Sequence, residues 1–176
     1  MSDSRVHALL LTGSSGVGKT TVIRSIADAL VGHRIRGFLT EEIRTGGRRE
    51  GFRLETFDGH VAVLAHMDIR SPHRVGKYGV DVAALDRVVD ASLQPDEHAH
   101  VYLIDEIGRM ECYSSRFTEA VARLLDSGLP VVATIHRRAG GFVRKVKGRP
   151  DVELWEVTRE NRETMVGWVL EWIGDR

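Results

Sequence analysis

A single cysteine, Cys112, stands in the whole chain. That excludes an intrachain disulfide framework, and a lone thiol suits a reducing compartment, so a cytoplasmic setting is the expectation. There are four prolines and 6% aromatics, with no internal repeat and no low-complexity tract. An excess of one charge is missing too. Lys plus Arg is 25 and Asp plus Glu is 25, for a formal net charge of zero. Nothing global therefore argues for a nucleic-acid or membrane-surface partner. No apolar run approaches the roughly 18 residues of a membrane span. The apolar segment near the N-terminus is short and runs straight into glycines, unlike a signal peptide. The eight histidines are scattered. His98 and His100 share strand spacing, but no further Cys or His joins them, so no zinc site is expected.

What is present is organised around residues 9–22, LLLTGSSGVGKTTV. Gly13, Ser14, Ser15, Gly16, Val17, Gly18, Lys19 and Thr20 fit the phosphate-loop pattern G-x-x-x-x-G-K-[ST]. An apolar run leads in as a buried strand would, and Val22, Ile23, Ile26, Ala27 and Leu30 follow at helical spacing. Strand, glycine loop, helix is the order that phosphate binding needs. Glycines let the backbone approach a ligand, successive N–H groups point into one concavity, and the helix adds its positive end. Lys19 is read as bridging the β- and γ-phosphates, Thr20 as holding Mg²⁺ and Thr21 as supporting the α-phosphate.

At 176 residues the expectation is one domain over 1–176, with an added β-meander at about 35–66. Met1 to Ser4 read as a leader outside the fold. A first strand is expected over Val6–Thr12 and a first helix over Lys19–Val31, ended by Gly32. Strand formers flank Gly46-Gly47, a hairpin signal, and Asp58-Gly59 marks a second turn before Val61–Leu64. Glu41, Glu42, Arg44, Arg48 and Arg49 crowd the first turn, either as cross-strand ion pairs or as a face toward nucleotide or partner. Asp68–Gly79 reads as a loop, Val80–Val82 as a short strand, and Val82–Gln94 as a helix ended by Pro95.

The second chemical motif is Val101-Tyr102-Leu103-Ile104-Asp105-Glu106. An apolar strand ending in Asp is a Walker B element, which places Asp105 opposite Thr20 at Mg²⁺. Glu106 is a carboxylate positioned to orient or deprotonate a water that attacks the γ-phosphate. Further on, Phe117 to Leu125 form an amphipathic helix closed by Gly128. Pro130–Ile135 is apolar throughout, as a strand buried on both faces is. It is expected to lie between the phosphate-loop strand and the Walker B strand, which brings Thr134 and His136 near the γ-phosphate.

Arg137–Arg149 is basic, without an acid and with three glycines. It reads as a mobile loop: a solvated stretch, a lid that delivers an arginine to the phosphates, or a nucleic-acid patch, the last opposed by aromatic interleaving limited to Phe142. Val152–Val157 alternates as a strand, Thr158 is a cap for the final helix, and Met165, Val166, Val169, Leu170 and Ile173 are its apolar stripe. Trp168 and Trp172 are expected to pack. Asn161 and Arg162 are base-side candidates.

The combination of TGSSGVGKTT, GFLTEEIR, the GG turn with REGF, RVGKYGVD, IDEIGRME and VTRENR resembles the THEP-type, or cancer-related, nucleoside-triphosphatase family over nearly the whole chain. The resemblance implies an α/β, RecA-like P-loop NTPase: a mostly parallel central sheet flanked by helices. It implies slow Mg²⁺-dependent hydrolysis of ATP, GTP, CTP and UTP to NDP and phosphate. It carries nucleotide contact onto Gly13–Thr20 and onto Leu103, Ile104, Asp105, Glu106, Ile107, Gly108, Arg109 and Met110. The basic stretch after His136 maps to no family motif, and no protein partner is named. Two rival classes share the same phosphate machinery: a nucleotide or small-molecule kinase, and a regulatory switch timed by hydrolysis.

Overall fold

The computed structural model describes residues 6–176; the expected leader lies outside the described residues. Nine strands form one sheet in the order β5-β6-β4-β3-β2-β7-β8-β1-β9. The strands are β1 (Ala8–Thr12), β2 (Ile35–Thr45), β3 (Arg48–Thr56), β4 (Val61–His66), β5 (Arg74–Val75), β6 (Tyr78–Val80), β7 (Val101–Ile107), β8 (Val131–Ile135) and β9 (Val152–Glu156). The run β2-β7-β8-β1-β9 is parallel. The pairs β2-β3, β3-β4, β4-β6 and β5-β6 are antiparallel. As expected, β8 lies between β1 and β7.

Alternation along the central strands builds two cores. Leu9 and Leu11 of β1, with Val101 and Leu103 of β7, face α1 (Lys19–Ala29) and α5 (Arg162–Gly174). Leu10 of β1, with Tyr102 and Ile104 of β7, faces α2 (Val82–Ser92), α3 (Ser115–Ser127) and α4 (Phe142–Lys147). Both faces of the central strands are covered, so these strands read as unbroken apolar runs. Gly37 marks a close approach: at φ 104° an added Cβ would sit 2.0 Å from the Leu103 carbonyl oxygen, so only glycine lets β2 lie against β7 there.

Several sequence expectations shift. The first strand begins at Ala8, and α1 ends at Ala29, two residues before Val31. The expected loop over Asp68–Gly79 contains the β5-β6 hairpin around Gly76, and the strand placed at Val80–Val82 lies at Tyr78–Val80. Helix α2 starts at Val82 because the Asp81 side chain accepts from the Ala84 N–H. The basic stretch is not a plain loop. Phe142, Val143 and Val146 have helical spacing and pack on the core, forming the short helix α4. Thr158 caps a turn ahead of α5: its hydroxyl accepts from Asn161 N–H while Asn161 Oδ1 accepts from Thr158 N–H. Trp172 is buried as expected, but Trp168 is 46% exposed.

Candidate active site

The site lies at the C-terminal ends of β1, β7 and β8, where one cleft brings the two motifs together. The phosphate loop leaves β1 at Thr12. Gly13 is fixed against the end of β9, because a Cβ there would come within 2.5 Å of the Val157 carbonyl oxygen. Gly18 occupies the N-cap of α1 with a left-handed backbone and no side-chain cap. The first-turn N–H groups are thereby left for an anion. Lys19 arches over the loop and donates to the carbonyls of Gly13 at 2.9 Å and Ser14 at 3.1 Å. Ser14, Ser15 and Gly16 are exposed, and Val17 anchors the loop in the core. Thr20 and Thr21 line the cleft.

Opposite stands the tip of β7. Asp105 is buried and clamped from both neighbouring strands. The Thr134 hydroxyl on β8 donates to Asp105 Oδ1 at 2.8 Å, and the Thr40 N–H on β2 donates to Oδ2 at 3.4 Å. The Thr40 hydroxyl also donates to the Asp105 carbonyl. Burial pushes the Asp105 carboxyl up, and hydrogen bonds from Thr134, Thr20 and Thr40 oppose that. The peptide joining Asp105 to Glu106 is cis. Glu106 is half-buried and lines the cleft. Burial first, then the Asp105 charge, raises its pKa, and Lys19 lowers it.

Leu103, Ile104 and Ile107, expected among the nucleotide contacts, are fully buried in the core. Their side chains offer no surface to a ligand; they fix the strand that aims Asp105 and Glu106. Gly108 is buried for want of space: a Cβ would lie 2.5 Å from Glu106 Oε1 and 3.0 Å from Glu111 Oε2. Arg109 and Met110 do line the cleft.

Glu111 was not singled out in the sequence. It is a buried acid lining the same cleft, pushed up to about 8 by burial and by the neighbouring Glu106. The only signal for it is its place five residues after Glu106, on a one-turn 3₁₀ helix at Glu111–Tyr113. Cys112 beside it is raised to about 12, chiefly by burial, and is no nucleophile.

His136 lies on the cleft wall, with its Nδ1 accepting from the N–H groups of Arg138 and Ala139. Burial and the nearby Arg109, Lys147 and Lys19 charges lower its pKa. Of the basic stretch, Arg137 reaches the phosphate loop: it donates to Ser14 Oγ at 2.8 Å and lies 3.4 Å from Glu156. Lys147 on α4 fixes that backbone by donating to the carbonyls of His136 and Arg137. The charged hairpin forms the expected ion pairs. Arg24 and Arg53 pair with Glu41, Arg44 and Arg49 with Glu42, and Glu41, Glu42 and Arg49 also face the cleft. Arg162 packs beside Gly18. Asn161 is committed to backbone, accepting from Thr158 N–H and donating to the Glu156 carbonyl.

A parallel sheet with an uncapped glycine loop at one strand tip and an Asp-Glu pair at a strand two places away defines a P-loop nucleoside-triphosphatase. The comparisons narrow this. The family model described as NTPase matches residues 8–170, and the chain belongs to that family. It is 41% identical over 163 residues to the nucleoside-triphosphatase THEP1 of Thermotoga sp. (strain RQ2), covering 92% of each chain. It resembles the crystal structure of THEP1 from Aquifex aeolicus with a TM-score of 0.79 and 35% identity, covering 94% of this chain and 98% of that one. The solution structure of a human cancer-related nucleoside triphosphatase gives a TM-score of 0.81 at 33% identity, covering 95% and 97%.

Proposed function

We propose that the chain hydrolyses nucleoside 5'-triphosphates to NDP and phosphate, slowly, with Mg²⁺ and with little regard to the base. The observation that carries this reading is the meeting of Lys19 and Thr20 with Asp105 and Glu106 across one cleft. Lys19 and the loop N–H groups hold the β- and γ-phosphates. The Thr20 hydroxyl and the Asp105 carboxylate are the oxygen donors a small hard cation takes, and two protein ligands suit an ion whose other ligands are phosphate and water. Among the described residues no three His, Cys, Asp or Glu form a metal cage of their own, which fits a cation that arrives with the substrate. When bound, Mg²⁺ supplies charge neutralisation at the phosphates. Glu106 takes a proton from a water; the water oxygen bonds to the γ-phosphorus, the bond to the β,γ-bridging oxygen breaks, and NDP leaves.

Two observations support the finer claims. Asn161, one of the two base-side candidates, is held on backbone through its amide oxygen and one N–H, which restrains it from reading a base edge and supports broad tolerance. Arg137 is tied to Ser14 and Glu156, and Arg24 to Glu41. With both arginines engaged, neither is free for the developing charge, which supports slow turnover.

The test is phosphate release from ATP, GTP, CTP and UTP with Mg²⁺ and no acceptor, beside Lys19→Ala. Release from several nucleotides, lost in the variant, is expected. Tight nucleotide binding without release refutes the hydrolase reading and leaves a kinase in its place.

A further inference from the structure

The cleft is larger than its chemistry requires. It encloses about 1030 Å³ and runs from the phosphate loop past Glu106 to the wall of the β-meander. Whole small-molecule sites span roughly 300–1,000 Å³. Yet no residue after β9 lines this space, so the base side near Asn161 and Arg162 lies outside it. Beyond Glu106 hydrolysis needs room for a water and nothing more.

The far wall is not built for water. Phe52 on β3 and Tyr78 on β6 meet edge to face, 5.2 Å between centroids at 71°. Met110 extends the apolar surface. Arg49 braces the pair: its Nε donates to the Tyr78 hydroxyl at 3.0 Å, and its guanidinium lies 5.2 Å over the Phe52 ring. Arg49 also donates to Glu42 at 2.9 Å, a carboxylate it shares with Arg44. Arg24 likewise shares Glu41 with Arg53. An apolar, aromatic wall opening at one end onto Glu106 selects a flat occupant.

We propose that the meander side of the cleft is a second small-molecule site, which takes a flat-ring compound next to the γ-phosphate position. The proposal rests on the nucleotide reading of the phosphate loop. An occupant there stands where the attacking water must approach, so it slows phosphate release without displacing nucleotide.

The test uses the full chain with Mg²⁺ and ADP and follows ligand-observed NMR of phenol and indole, with cyclohexanol as the non-flat control. Phenol and indole are expected to bind at millimolar concentration and to lower phosphate release from ATP, with cyclohexanol at least about tenfold weaker. Phe52→Ala and the gentler Phe52→Leu should weaken phenol binding by about fivefold or more, the worth of a ring–ring contact. Trp168→Ala, in the separate groove beside α5, should not. ADP binding, measured in every variant, shows that each one folds. If ADP binds normally while phenol and indole do not, the second site is refuted and the nucleotide reading stands. If Trp168→Ala rather than Phe52→Ala removes phenol binding, the assignment of the site is refuted. If the wild type binds no ADP, the nucleotide reading falls first.

Discussion

Glu111→Gln is the perturbation whose size follows most directly from the structure. Glu111 is buried, and its carboxyl is raised from an ordinary 4.5 to about 8, first by loss of hydration and then by the Glu106 charge. Between those values the folded protein keeps a proton that the unfolded chain has released. The native state therefore loses stability as pH rises from 4.5 towards 8. At about 1.4 kcal/mol per pH unit, the cost is roughly 3 kcal/mol at pH 7 and 4–5 kcal/mol at pH 8. Glutamine has the same shape and no titration. Melting followed by circular dichroism, with EDTA and without nucleotide, should place the two proteins within a few degrees of each other at pH 5. The variant should melt about 10 °C higher at pH 8, since each kcal/mol moves a chain of this size by about 2–4 °C. Melting curves that stay parallel from pH 5 to pH 8 would refute the buried, protonated carboxyl.

Other outcomes follow from the same geometry. Glu106→Gln should bind ADP within about twofold of wild type while turnover falls about 10²- to 10⁴-fold; single-turnover phosphate release reads it, and unchanged turnover removes Glu106 from its role. Gly108→Ala puts a methyl 2.5 Å from Glu106 Oε1, so the carboxylate must move. Turnover should drop by about 10²-fold at retained ADP affinity, and a fully active variant shows that Glu106 has room to spare. Asp151 is held below the usual carboxylate range, first by hydrogen bonds from Arg149 at 2.8 and 2.6 Å. Its stabilisation is present above the unfolded value near 3.8 and is lost as pH falls through the lower folded one. Asp151→Asn should therefore cost about 1 kcal/mol at pH 7 and far less at pH 3; an equal loss in denaturant titrations at both pH values contradicts it.

How much of this was legible depended on how local the information was. The phosphate loop and the Asp105-Glu106 pair are contiguous stretches whose chemistry is written in adjacent residues. The nucleotide half of the site could therefore be read before any fold was known. The order of the central strands followed too, because an unbroken run such as Val131–Ile135 belongs in the middle of a covered sheet. The β5-β6 hairpin escaped because two- and three-residue strands carry no usable alternation. Helix α4 escaped because flanking glycines and cations mask the spacing of Phe142, Val143 and Val146. Thr40, Glu111 and the Phe52–Tyr78 wall could not be found locally at all. Each acquires its role from a partner far along the chain: Thr40 meets Asp105 only through β2-β7 pairing, and Phe52 meets Tyr78 only once the meander closes.

That pairing also bears on how such a protein can be re-engineered. The Asp105 carboxylate takes half of its clamp from Thr40, on the strand that opens the β-meander. The meander is thus no appendage that could be trimmed to a minimal nucleotide-binding core or exchanged as a cassette. A graft that spliced a foreign hairpin in before Thr40 would inherit the phosphate loop intact and still lose the alignment of Asp105. The junction that preserves the site falls after Thr40, which leaves the outer turn at Gly46-Gly47 as the place where the chain can be varied freely.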